Sequence, residues 1–261
     1  MISVVKWWMP MGHFQRSDDN FFGETTMRVS IVVAIILVGQ AGSVLAYDFD
    51  WKNLLMASLK LRQSLDYDAN VDSYMQVFRP DVWNRYRNDE FEMAEKRRET
   101  IEIMKKAVAA YSLDEDIVVT TSMEIGSYDF ETKGFPLDGL NESSYYYASS
   151  YQNGNFPNRF TMHLSNPAAL GHLQLSEAQA KEFLNSRKNR NGEISRKVYV
   201  KLYLRVKKFR NEPDALLGEI TKYSIYADAA HLRRLSEVDV AQKAKEKKAA
   251  ETAALTAQTS Q

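Results

Sequence analysis

Between Arg196 and Arg210, Lys197, Tyr199, Lys201, Tyr203, Arg205 and Lys207 occupy alternate positions, and Val198, Val200, Leu202, Leu204 and Val206 fill the places between them. Successive side chains of a strand point to opposite faces, so this spacing predicts a strand with one aliphatic face and one basic, aromatic face. A face of that kind suits phosphate, an anionic lipid, a glycan carboxylate or an acidic protein surface, and it resembles the sheets on which single-stranded nucleic acid stacks. The plainer alternative is that the lysines guard an exposed sheet against aggregation. These six residues are the candidate binding site. No catalytic residue, metal ligand or cofactor is assigned.

The other chemistry-bearing residues are thinner material. The chain has no cysteine, which excludes a disulfide framework, a thiolate zinc site, an iron–sulfur cluster and a thiol nucleophile. His163, His172 and His231 have no compact ligand spacing. Ser165 lies near His163, but the chain has no GxSxG elbow, P-loop, GxGxxG or SxxK motif. Glu92 with Lys96, Arg98 with Glu102, and Glu102 with Lys106 stand four residues apart, as opposite charges do on a solvated helix face. Tyr145, Tyr146 and Tyr147, with Tyr151, Phe156 and Phe160 nearby, offer stacking surfaces for a glycan or peptide. In a strand, however, Tyr146 faces away from its two neighbours, so part of the cluster belongs to a core.

Elements must position these residues. Asp50 caps a helix expected over Trp51 to Leu65, and Pro80 and Asp81 open a longer one, whose apolar residues recur at helical spacing from Val82 to Tyr111. Alternation then predicts a strand at 117–125 and shorter strands at 143–149 and 159–164. Ser176 to Gln179 reads as a capping box starting a short helix over 177–186. The basic strand and a second one at 217–226, separated by Asn211-Glu212-Pro213-Asp214, form a hairpin. The expected fold is α+β, with N-terminal helices packed on a mostly antiparallel sheet of four or five strands, a short inserted helix, and a helical or disordered C-terminal tail.

Met27 and Arg28, the apolar run Val29 to Val38, and Val44-Leu45-Ala46 have the layout of a signal peptide over 27–46 with cleavage after Ala46. Residues 1–26 then read as a non-native extension or a long leader n-region, 47–235 as one domain, and 236–261 as an Ala/Lys-rich tail. The expected location is periplasmic or secreted, with membrane contact only through an uncleaved leader. The chain carries 34 basic and 34 acidic residues. Neutrality and export together argue against nucleic acid as a partner. The charge is nonetheless segregated, since acids dominate residues 111–145 and bases dominate 196–210.

Tyr86-Arg87-Asn88-Asp89-Glu90-Phe91-Glu92, the stretch Glu124 to Phe130 leading to Phe135-Pro136-Leu137, and Leu175-Ser176-Glu177-Ala178-Gln179-Ala180 resemble a family of uncharacterised exported bacterial proteins, a domain of unknown function, over about residues 70–230. The resemblance implies export and one α+β unit, and it brings no activity with it. The expected role is that of a non-enzymatic exported envelope protein that binds an envelope protein, glycan or anionic lipid through the basic strand. The alternative is an envelope hydrolase whose site is assembled from dispersed residues.

Overall fold

Asp50 accepts a hydrogen bond from the Asn53 amide at 2.7 Å and starts helix α1, Trp51–Leu61. Every residue from Leu54 to Leu59 is buried, so the helix has no wet side over that stretch and must be enclosed by other elements. Its two buried polar side chains are satisfied from distant parts of the chain. Ser58 Oγ donates to the Pro213 carbonyl at 3.0 Å, and Trp51 Nε1 donates to the Pro157 carbonyl at 3.0 Å. The computed structural model describes residues 46–243, 245 and 246. The expected leader and the extension before it lie outside the described residues, apart from Ala46, as does most of the expected tail. Among the described residues no helix is long and apolar enough to cross a membrane.

Three more helices form a layer beside α1: α2, Tyr67–Phe78; α3, Pro80–Tyr86; and α4, Glu90–Ala110. The single helix expected from Pro80 to Tyr111 is therefore two. The chain leaves helical geometry after Tyr86, and Asp89 restarts it by accepting from the amides of Phe91 and Glu92 at 3.1 and 3.0 Å. Val71, Met75 and Met93 form a small second core there, with Trp83 and Tyr86 packed against it. The charged run does not pair at four-residue spacing as expected. Lys96 meets Glu99 at 3.2 Å and Lys105 meets Glu102 at 2.8 Å, while Arg97 grips both oxygens of Asp72 on α2 at 2.7 Å, and Arg79 bonds Glu99 at 2.7 Å. The run thus ties α4 to its neighbours as well as solvating it.

The sheet is larger than expected, with nine strands instead of four or five. They are β1, Tyr47–Asp48; β2, Ile117–Ile125; β3, Gly134–Asp138; β4, Tyr145–Ser149; β5, Arg159–Leu164; β6, His172–Gln174; β7, Lys197–Phe209; β8, Ala215–Tyr226; and β9, Arg234–Asp239. Helix α5, Glu177–Asn185, sits between β6 and β7 behind the expected capping box, in which Ser176 and Gln179 bond each other's backbone. The order along the sheet is β4-β5-β8-β7-β2-β3-β6, with β1 added in parallel to β2 and β9 added antiparallel to β8. Pairing is mostly antiparallel, and β5 with β8 is the other parallel pair. The expected hairpin is β7–β8. Residues 236–239, assigned to the tail, instead belong to β9, where Val238 pairs with Tyr223 and packs on the core.

The sheet curls around α1, which touches β4, β5 and β7, and β6 at one end comes against β9. The outer edge of β8 is shared, with β5 covering it to Gly218 and β9 from Lys222 onward. Ile220 lies in the gap and is fully buried. Asn166, just after β5, fills that gap: its Oδ1 accepts from the Ile220 amide at 2.8 Å and its Nδ2 donates to the Ile220 carbonyl at 3.0 Å. Beside it, Thr221 is the extra residue of a bulge against Tyr203 and Leu204.

Candidate functional site

All six candidate residues lie on the face of β7 opposite α1, because Val198, Val200, Leu202, Leu204 and Val206 point inward and are buried. They are neither under a helix nor scattered. Two of the four cations among them, however, are answered by neighbouring segments. Arg205 Nε meets Asp116 at 3.1 Å, and the bulged Thr221 donates to the other Asp116 oxygen at 2.8 Å. Lys207 pairs with Glu219 at 2.7 Å. Tyr203 lies under Lys222, 5.0 Å from the ring centroid, and Lys222 in turn meets Glu237 at 3.2 Å. Burial works to raise the Glu237 carboxyl, but hydrogen bonds from Lys222 and Ser224, with the charges of Lys222 and Arg234, outweigh it and hold the carboxyl below its usual value. The acidic and basic segments of the sequence are therefore adjacent strands, β2 with its preceding turn against β7.

Lys197 and Lys201 are the exceptions. Neither has a carboxylate within ion-pairing distance among the described residues; each lies 5.6 Å from a tyrosine ring centroid, Lys197 over Tyr199 and Lys201 over Tyr226. At the Lys197 end the face dips into a pocket of about 440 Å³. Ser186 and Arg187 reach it from the end of α5, Ser195, Lys197 and Tyr199 from the start of β7, and Asp228 and Arg233 from the turn between β8 and β9.

Arg187 is fixed in place. Its guanidinium donates to the carbonyls of Lys197, Ala227 and Ser195 and lies over the Phe183 ring at 4.6 Å. Burial, joined by the nearby Arg233 charge, pulls its pKa down against the opposing pull of Tyr199 and Asp228. Asp228 accepts from the Arg233 amide at 2.8 Å and the Leu232 amide at 3.1 Å, and these backbone bonds hold its carboxyl low. Its charge is thus already engaged in forming the turn that presents Arg233. His231, in the same turn, has a left-handed backbone (φ 58°), its ring stands edge-on to Tyr226 at 4.9 Å, and its buried Nε2 has no hydrogen-bond partner among the described residues.

Three cations and one engaged carboxylate around a pocket with a tyrosine wall can hold a carboxylate or phosphate group together with an adjoining ring or chain. The lining brings no nucleophile beside a base. His163, the sequence candidate nearest a serine, stacks against Tyr145 at 5.2 Å and faces Arg210 instead of a carboxylate. Among the described residues no group of three acids or histidines is gathered as a metal site. The tyrosine cluster divides as its alternation predicts: Tyr146 packs on the core, while Tyr145 and Tyr147 are exposed. Sequence reasoning reached Lys197 and Tyr199 but missed Arg187, Asp228 and Arg233. These come from two chain segments, the end of α5 and the β8–β9 turn, and only the pairing of β7, β8 and β9 brings them beside Lys197.

No curated protein and no solved structure matches the chain. Residues 66–186, from the cap of α2 to the end of α5, match the family model described as Domain of unknown function (DUF4852), a shorter span than the resemblance suggested and one that stops before β7.

Proposed function

We propose that this protein is a non-enzymatic binding module of the bacterial envelope, exported by the segment 27–46, whose ligand places an anionic group against Arg187, Lys197 and Arg233. The observation that carries this reading is the excess of cations around the pocket: the sole lining carboxylate, Asp228, is occupied by backbone amides, and Arg233 meets a single exposed carboxylate, Glu182, at 4.0 Å. A carboxylate of an acidic glycan or the phosphate of an anionic lipid has the required chemistry, and Tyr199 supplies the adjoining aromatic surface. Further along the β7 face, Arg205 and Lys207 are paired with carboxylates, and that part serves as its scaffold.

The test compares the protein with Lys197→Glu and Arg233→Glu variants, using isothermal titration with sodium glucuronate and co-sedimentation with phosphatidylglycerol vesicles. Each substitution is expected to weaken binding by about tenfold or more, and added salt is expected to weaken the unaltered protein's binding as well. Equal binding by all three proteins, or none by the unaltered protein to either probe, overturns the reading. Protein recovered from an envelope fraction is expected to begin at Tyr47.

A further inference from the structure

One edge of β2 is paired along its length with β7, but the other is paired only at its ends, with β1 at Ile117 and Val118 and with β3 at Glu124 and Ile125. Main-chain groups alternate between the two edges of a strand. The Ile125 amide bonds toward β7, at Arg196, and the Gly126 amide toward β3, at Pro136. Counting back, Thr120 and Ser122 direct their N–H and C=O groups to the open edge, where neither has a backbone partner among the described residues.

The terminal strand β4 is open in the same way. The Ser150 amide bonds toward β5, at Asn158, so the main chains of Tyr145 and Tyr147 face away from β5. Because the sheet curls, both open edges border a cleft of about 690 Å³, lined by Thr121 to Glu124 on one side, by Tyr145 and Tyr146 on the other, and by Gly139, Leu140, Ser143 and Ser144 of the loop that joins β3 to β4. Neither open stretch has a lysine, a proline or a bulge, the usual means of discouraging strand addition.

We infer that this seam accepts an extended peptide, which adds to β2 as a further strand and bonds the main chains of Thr120 and Ser122. Unpaired amides and carbonyls at every second residue match a peptide backbone, and a small anion or a sugar leaves most of them unused. The open stretch between β1 and β3 takes about five residues at roughly 3.3 Å each. Glu124 and Lys197, cross-strand neighbours of opposite sign, are the charged groups in the lining, which favours a segment without net charge. This inference uses neither Arg187 nor Arg233 and shares Lys197 alone with the anionic-ligand reading.

The experiment selects binders from a phage-displayed linear heptapeptide library on the full chain, then measures synthetic copies of the selected peptides carrying one N-methyl group at each position in turn. Binding is expected to fall about tenfold at every second N-methylated residue. Ser122→Pro, which removes an amide that has no partner in the folded protein, is expected to weaken binding to a similar degree, whereas Ser122→Ala and Arg233→Glu leave it unchanged. An absence of enriched peptides overturns the inference, as does an N-methyl scan without alternation. The scan uses the unaltered protein, so the inference stays testable if the proline variant fails to fold.

Discussion

Replacing Asn166 by alanine removes both hydrogen bonds at the gap between β5 and β9 and leaves the Ile220 amide and carbonyl unpaired where the residue is fully buried. Each buried group left unsatisfied costs about 1–3 kcal/mol, so the pair is expected to cost about 2–6 kcal/mol. For a domain of this size that loss lowers Tm by about 4–24 °C. The assay is urea unfolding followed by circular dichroism, reading the midpoint at constant slope, with a thermal scan beside it. Asn166→Asp is the informative companion. Its carboxylate can still accept from the Ile220 amide but cannot donate to the carbonyl, so it should also destabilise the protein, and protonating the carboxyl at low pH should recover part of the loss. A loss below about 0.5 kcal/mol for the alanine variant would refute the idea that the amide completes the ladder, since it would mean that water or a small shift of β9 satisfies the same groups.

Two further outcomes test other parts of the fold. Gly154 has φ 57°, and an added Cβ would stand 2.8 Å from the Ser73 backbone, so Gly154→Ala is expected to destabilise the chain by about 1–3 kcal/mol in the same urea assay; a neutral result would show that the 151–155 loop does not press on α2. Burial, with the Arg210 charge, holds the His163 pKa below its ordinary value of 6.5, so the unfolded chain takes up this proton more readily than the folded one. Stability from this residue is therefore complete above about pH 6.5 and is lost as pH falls below it; His163→Gln should flatten that part of the stability profile, and an identical profile in both proteins would contradict the assignment.

What the sequence reveals of this fold follows the strength of each local signal. The β7–β8 hairpin was legible because the inward residues of β7 are unbroken aliphatics over a long alternation and a turn sequence follows it, and α5 was legible from its capping box. The break between α3 and α4 was not, because apolar spacing carries straight through it, and the deciding residue, Asp89, looked like one more charge in a charged run. Strands β3, β6 and β9 are short or mixed in polarity, and α2 was overlooked between stronger neighbours. Their identity depends on what they pair with, and single-segment periodicity does not record that. The site divides in the same way. Lys197 and Tyr199 announce themselves by alternation, while Arg187 and Arg233 matter only because α5 ends and the β8–β9 turn returns beside the start of β7. Charge segregation along the chain marked two opposed regions, but only the register of β2 with β7 shows that they lie side by side and meet in the Arg205–Asp116 pair.

The enclosure of α1 sets an order of events for the growing chain. The helix is made early, yet much of its cover, β4, β5 and β7 with the Pro213 carbonyl that Ser58 bonds, is completed only when Pro213 has been added. At about 5–20 residues per second the ribosome needs roughly ten to thirty seconds to bridge that interval. Throughout it, a stretch running from Leu54 to Leu59 that is apolar on nearly every side has no sheet to enter. A nascent chain of this protein should therefore need a holding chaperone at its first helix, and the β7–β8 hairpin, whose contacts are local, should be the element whose arrival releases it.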